Sequence, residues 1–277
     1  MAVIGAGTMG HGIAQVAALA GYEVRLQDVD AEALEKAMAR VRAQLDKGVE
    51  LGKVEEVDRD AALGRLRATP DAADAMADAG TVIEAVPENL ELKRRILAAA
   101  AERVAPDTLL ATNTSSLSIT AIAEPVQGPE RVVGMHFFNP VHIMQLLEIV
   151  RGDRTAPDAI ERAREVGERM GKTPIVVSDS PGFASSRLGI ALGLEAIRMV
   201  EAGVASPEDI DRAMELGYRH PMGPLRLTDL VGLDVRLEIA RHLHRELGDR
   251  FSPPELLEQL VEEGKLGKKS GRGFYAW

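Results

Sequence analysis

Two apolar rhythms run along this chain. As far as residue 178, short continuous runs of aliphatic residues alternate with longer stretches whose apolar positions recur every three or four residues. The first rhythm predicts strands at residues 2–4, 23–27, 66–68, 81–86, 109–112, 131–138, 146–150 and 175–177. The second predicts helices over 11–21, 31–49, 58–66, 90–104 and 157–170, with a short one after residue 116. In the 31–49 stretch Leu34, Met38, Val41 and Leu45 share one face. Strands as uniformly apolar as Thr81-Val82-Ile83 suit a parallel sheet covered on both faces. Strict alternation of strand and helix is the doubly wound α/β pattern.

The character changes after Ser178-Asp179-Ser180-Pro181-Gly182, beyond which no strand-like run occurs. Residues 188–202 are apolar on nearly all sides. They predict a buried helix that packs against a second copy of the chain as well as against its own domain. Ser206 caps a helix over 207–216, with Pro207 at its first position and Glu208 and Asp209 in its first turn. Single helices are expected over 225–247 and 254–263. The expected division is residues 1–180, a Rossmann-type α/β domain, and 181–277, an all-helical domain for dimerisation and completion of a substrate site.

The turn after the first strand narrows the chemistry. Gly5-Ala6-Gly7-Thr8-Met9-Gly10 joins strand to helix with the spacing of a dinucleotide fingerprint, in the structural context that motif needs. Gly5 permits the tight turn, Gly7 leaves room for a diphosphate, and Gly10 lets helix and strand approach; Thr8 and Met9 lie in the same loop. Unpaired N–H groups at the helix start favour the anion. Asp28, at the end of the second strand, is placed to accept hydrogen bonds from an adenosine ribose and to repel a 2′-phosphate. The expected cofactor is therefore NAD.

Composition removes several other classes. With 277 residues, 45% hydrophobic and 27% charged, the chain has ordinary globular composition. A net charge of −10 argues against nucleic acid as a partner. No apolar run reaches the roughly 18 residues of a membrane span, and no secretory leader precedes the first strand. The absence of cysteine excludes disulfides and thiolate chemistry and fits a cytoplasmic setting. No His, Asp and Glu set has metal-site spacing, so no metal is expected.

A nicotinamide reaction also needs a group to handle the substrate proton. His136 ends an apolar strand at the rim where open α/β sheets bind ligands. Glu148 lies twelve residues on; two antiparallel strands turning at Asn139-Pro140 would bring it beside His136. A carboxylate on one ring nitrogen would fix the tautomer and stabilise the imidazolium. Taken alone, the two residues fit a hydrogen-bonded rim histidine and a solvated glutamate as well. His11, in the fingerprint helix, reads as cofactor-proximal or solvated.

His136-Phe137-Phe138-Asn139-Pro140 with Glu148 resembles the L-3-hydroxyacyl-CoA dehydrogenases, particularly the bacterial 3-hydroxybutyryl-CoA dehydrogenases. Further matching segments are Val86-Pro87-Glu88-Asn89-Leu90, residues 111–117 (ATNTSSL), Pro221-Met222-Gly223-Pro224 and residues 268–275 (KKSGRGFY), in the family's order. The resemblance implies His136 as catalytic base and Glu148 as its orienting partner. It places Ser115 and Asn139 against the substrate's 3-oxygen or the cofactor. It puts Glu88, Lys93, Asn113 and Lys269 on the NAD side, and it implies an acyl-CoA partner and a homodimer. Lys47 and Lys53 then become candidates for coenzyme A phosphates, with a solvated helix end as the alternative for each. In Pro181-Gly182-Phe183-Ala184-Ser185-Ser186-Arg187 the chain departs from the family, because Ser186 stands where an asparagine is usual. Gln44 and Leu51 likewise replace the Ser and Lys often found on the CoA-facing helix.

The expected activity is reversible, NAD-dependent oxidation of a short-chain (S)-3-hydroxyacyl-CoA. Two rivals remain at this point: a dehydrogenase of a free hydroxy acid or sugar acid on the same scaffold, and a non-catalytic NAD-binding protein.

Overall fold

A computed structural model describes all 277 residues, Met1–Trp277. They form two compact units, Met1–Ser180 and Pro181–Trp277.

The first unit begins with β1 (Ala2–Ile4), α1 (Thr8–Leu19), β2 (Val24–Gln27), α2 (Ala31–Glu50), α3 (Glu56–Arg65) and β3 (Leu66–Thr69). It continues with α4 (Ala72–Met76), β4 (Thr81–Glu84), α5 (Leu90–Ala101), β5 (Leu109–Thr112), α6 (Ile119–Ala123) and β6 (Val132–Phe137). β7 (Leu146–Arg151), α7 (Pro157–Arg169) and β8 (Thr173–Ser178) complete it. One sheet holds all eight strands in the order β3-β2-β1-β4-β5-β6-β7-β8. Strands β1 to β6 are parallel. β7 pairs antiparallel with β6 and parallel with β8. The connection from β6 to β7 contains no crossover helix, so the chain can only return antiparallel.

Strand order reverses between β1 and β4. The loops leaving those strands therefore diverge, and a crevice opens at their carboxyl ends. Behind it lies a core in which Val3, Ile13, Leu26, Ile83, Leu109, Met135 and Leu147 are inaccessible to solvent. Local signals agree with these elements. Asp30 caps α2 by accepting from the Glu32 and Ala33 N–H groups, and Asn89 caps α5 through Leu92 N–H. Helix α4, which the apolar pattern does not predict, is five residues long; Asp71 caps it, and Ala75 and Met76 anchor it.

The second unit contains α8 (Ser185–Glu201), α9 (Pro207–Tyr218), α10 (Pro224–Val231), α11 (Leu233–Leu247) and α12 (Glu255–Glu262). Ile190, Leu194, Ile197, Leu225, Leu237, Leu243, Phe251 and Leu257 form its core. One expectation needs correction here. The single helix over 225–247 is broken at Gly232, whose φ of 107° is left-handed backbone that a continuing α-helix cannot adopt. The helix over 188–202 buries Ile190, Leu194 and Ile197 in the core of this unit, while Leu188 is 70% exposed.

Asp211 and Asp229 tie this unit together. Asp211 accepts from Leu225 N–H, Arg226 N–H and the Tyr275 hydroxyl. Asp229, fully buried, accepts from Phe274 and Tyr275 N–H and from Trp277 Nε1. Two carboxylates thus fix the carboxyl-terminal strap to α9 and α10.

Candidate active site

The crevice is a groove of about 990 Å³ lined wholly by the first unit. Gly5, Gly7, Thr8, Met9, Asp28, Glu88, Asn113, Ser115 and His136 all border it. Each glycine does something different. Gly5 has φ of 103°, and a Cβ there would stand 2.7 Å from the Ala85 carbonyl oxygen. A Cβ on Gly10 would overlap the Gly5 carbonyl, so only glycine lets α1 start this close to β1. Around Gly7 nothing lies within 4 Å of the Cβ position. Gly7 is also the N-cap of α1 and offers no side-chain acceptor to the first-turn N–H groups. Open space facing unpaired donors fits the diphosphate of a dinucleotide.

Asp28 is fixed at the end of β2. One carboxylate oxygen accepts from Ala6 N–H at 2.8 Å, which ties the acid to the glycine turn; the other accepts from Asp30 N–H at 3.1 Å. Each oxygen keeps a lone pair for a ribose hydroxyl. The donor set fits NAD: a ribose acceptor, an anion-binding helix start and an apolar slot. That slot is formed by Val29, Leu92 and Ile96, with Arg95 beside them. These four were not among the candidates. The i, i+4 pair Leu92 and Ile96 on α5 was the available signal.

His136 and Glu148 sit on facing strands. The antiparallel register pairs them directly, and His136 Nδ1 lies 2.8 Å from Glu148 Oε2. Glu148 is inaccessible to solvent, whereas His136 retains 7% exposure, on the groove side. With Glu148 ionised, Nδ1 carries the proton and Nε2 is the basic nitrogen. The Phe138 ring packs against the imidazole at 4.4 Å between centroids. Asn113 positions the same strand end, its Oδ1 accepting from Phe137 N–H at 3.0 Å.

Lys93 lies beneath the groove. It is fully buried. Its ammonium donates to Glu84 Oε1 at 2.8 Å, Val86 O at 3.2 Å and Asn113 O at 3.3 Å, which uses all three hydrogens. It therefore pins the ends of β4 and β5 beneath the groove, and it lies 3.5 Å from Glu88 at the groove border. Burial pushes the Glu84 carboxyl up from its ordinary range, against the pull of Lys93 and the Thr112 hydroxyl.

Glu88 is a loop organiser as well as a groove residue. Its Oε1 accepts from the Thr114 hydroxyl at 2.7 Å and from the N–H groups of Ser115 and Ser116 at 2.9 and 3.2 Å. Burial opposes its charge, but the Thr114 hydroxyl and Lys93 hold its carboxyl below the usual range. Ser115 N–H and Oγ are both turned to Glu88. Asn139 is exposed on the β6–β7 connection and does not border the groove. Lys47 pairs with Glu50 at the end of α2, and Lys53 is exposed. In the second unit Ser186 lies in the first turn of α8, and Lys269 pairs with Asp234 at 2.5 Å.

The glycine turn, the anchored Asp28 and a histidine–carboxylate pair on one groove define a nicotinamide-dependent dehydrogenase of the Rossmann class. Residues 1–180 match the 3-hydroxyacyl-CoA dehydrogenase NAD binding domain, and residues 182–277 match the C-terminal domain of the same enzymes. The chain belongs to the 3-hydroxyacyl-CoA dehydrogenase family. A probable 3-hydroxybutyryl-CoA dehydrogenase of Deinococcus radiodurans is 44% identical over 276 residues, 99% of both chains. One from Bacillus subtilis is 46% identical over 274 residues, 99% of this chain and 95% of the relative. The crystal structure of (S)-3-hydroxybutyryl-CoA dehydrogenase from Ralstonia eutropha superimposes with a TM-score of 0.95 at 40% identity, over all of this chain and 98% of the other.

Proposed function

We propose that this protein catalyses the reversible NAD-dependent oxidation of (S)-3-hydroxyacyl-CoA to 3-ketoacyl-CoA, with 3-hydroxybutyryl-CoA or another short-chain ester as substrate. The observation that carries the reading is the His136–Glu148 pair at 2.8 Å on the border of the dinucleotide groove. NAD supplies the hydride acceptor when bound. His136 Nε2 removes the proton of the 3-hydroxyl as C3 loses its hydride, and it returns that proton to the ketone oxygen in reverse. Glu148 keeps the imidazole oriented and stabilises the imidazolium without itself taking the proton. Ser115, on the border of the groove, is a neutral donor for the 3-oxygen when its hydroxyl turns from Glu88 to the substrate. Asp28 holds the adenosine ribose and sets the preference for NAD over NADP.

The second unit exposes Leu188, Val204, Leu216 and Tyr218, each at least 63% accessible. Exposed apolar residues of this kind support a homodimer formed through the helical unit. A cysteine-free chain acting on the NAD pool fits the cytoplasm.

The test is NADH consumption with acetoacetyl-CoA, compared with free acetoacetate and a long-chain 3-ketoacyl-CoA. Rapid turnover of acetoacetyl-CoA alone is expected. Turnover of free acetoacetate at similar kcat/KM would replace the thioester by a free acid, and NADH binding without any turnover would leave a non-catalytic protein.

A further inference from the structure

The His136–Glu148 pair stands one step from the end of its ladder. β6 and β7 pair from Gly134 and Val150 to Phe137 and Leu147, and residues 138–145 then cross over without strand pairing. Within this connection the Pro140 carbonyl accepts from the N–H groups of Ile143 and Met144, both at 2.9 Å, which closes a single helical turn. The carbonyls of Val141 and Met144 both accept from one side chain, the ammonium of Lys172, with Met144 O at 2.9 Å. Val141 lies on the arm that leaves His136, and Met144 on the arm that enters Glu148. One cation thus ties the two arms together.

Lys172 is itself held against the strand that carries Glu148. Gly171, with φ of 72°, ends α7, and Lys172 N–H donates back to the Gly167 carbonyl at 2.9 Å. Thr173, the next residue, opens β8; it pairs with Leu146 and donates its N–H to Gln145 O at 2.8 Å. Helix α7 rests on β7 so closely that a Cβ on Gly167 would stand 2.5 Å from the Leu147 side chain. The ammonium therefore meets the connection from a fixed base. Its position is costly. Lys172 is 8% exposed, two carbonyls and no carboxylate receive its charge, and burial pushes its pKa below the ordinary lysine range. An apolar side chain of similar length would fill the space without that cost. Nor does the charge serve the groove, which Lys172 does not border. What it does is hold two backbone oxygens, one on each arm.

We propose that Lys172 is a positioning residue for the reaction: its ammonium braces the two arms of the β6–β7 connection and so keeps Glu148 Oε2 on His136 Nδ1. It touches neither substrate nor cofactor. The inference rests on the reading of His136 as the base. A ladder that stops one pair past the catalytic residues leaves their side chains sensitive to any splaying of the arms. Misplacement by about 1 Å can cost a reaction about 10²-fold. A neutral side chain at position 172 keeps the packing beneath the connection but releases both oxygens, so the imidazole loses its orientation while the fold persists.

The test is Lys172→Met, which keeps length and apolar contact but donates to neither carbonyl. The kcat of NADH consumption with acetoacetyl-CoA should fall about ten- to hundredfold, with KM and NADH affinity within about twofold of the natural protein. A second readout does not depend on turnover. The Nδ1 proton of His136, shared with Glu148, gives a far-downfield proton NMR resonance, assigned by its absence from His136→Gln. In Lys172→Met that resonance should broaden or vanish. Because the chain has no cysteine, Lys172→Cys carries a single thiol. Alkylating it in denaturant with 2-bromoethylamine and refolding puts an ammonium back, and should restore both kcat and the resonance. Unchanged kcat in Lys172→Met overturns the proposal, as does a loss of kcat or stability with the resonance intact, or a loss that the ammonium does not rescue. Failure of both neutral variants to fold, with only the alkylated protein native, makes Lys172 a structural residue and also overturns it. Undiminished turnover in His136→Gln would instead fail the assignment of the base, and the resonance would still report whether Lys172 holds the pair.

Discussion

Two buried charge pairs stand in the sheet, one at the carboxyl end of β4 and one across β6 and β7, and they do opposite things. Lys93 and Glu84 are both sealed from solvent; every ammonium hydrogen has a protein acceptor, and Glu84 also accepts from Val86 N–H and the Thr112 hydroxyl. His136 and Glu148 are nearly as buried, yet the imidazole borders the groove. The first pair is covered by protein acceptors and holds backbone in place. In the second, a buried carboxylate orients a base that meets the ligand. Burial and ion pairing alone therefore do not mark a catalytic residue; the direction of the last donor or acceptor does.

Substitutions can break this contrast. The largest effect is expected on the open pair: His136→Gln should lower kcat by about 10²–10⁴-fold, with NADH affinity little changed by fluorescence titration. Full activity in this variant would remove His136 from the mechanism. The closed pair should respond in stability. Lys93→Met leaves Glu84 buried without its cation and should cost about 3–5 kcal/mol in denaturant unfolding. Because burial already pushes Glu84 towards its protonated form, adding Glu84→Gln should recover most of that loss. A double variant as unstable as Lys93→Met would mean that the packing of the lysine stem, not its charge, is what matters.

Glu148→Gln sits between the two cases. It keeps the shape but loses the charge that fixes the ring, so kcat should fall about 10²-fold while the unfolding midpoint moves little. A loss of stability without loss of turnover would put Glu148 in the same class as Glu84. The smallest effect belongs to Glu88, whose folded-state carboxyl is held below the usual range. A group lowered in this way stabilises above its unfolded pKa, and the contribution is lost as pH falls through the folded value. Glu88→Gln should therefore be less stable than the natural protein at pH 6, and the difference should vanish on acidification towards pH 3.

Much of the first unit was legible from apolar periodicity because a parallel strand covered on both faces must be a continuous apolar run. The glycine turn was legible for a steric reason, since only glycine can stand at Gly5 and Gly10. In the second unit the break at Gly232 was missed because apolar residues keep helical spacing across it.

The sequence by itself thus determined the α/β class, the dinucleotide turn with Asp28, and the histidine and glutamate that meet across β6 and β7. These depend on local sterics, on the sheet's period and on a connection too short for a crossover. Tertiary structure alone decided that Lys93 is sealed, that Glu88 organises the 114–116 loop, and that Lys47 is paired with Glu50. A charged residue has the same letter whether its partner is water, a carbonyl or another cation, and only the fold brings that partner to it.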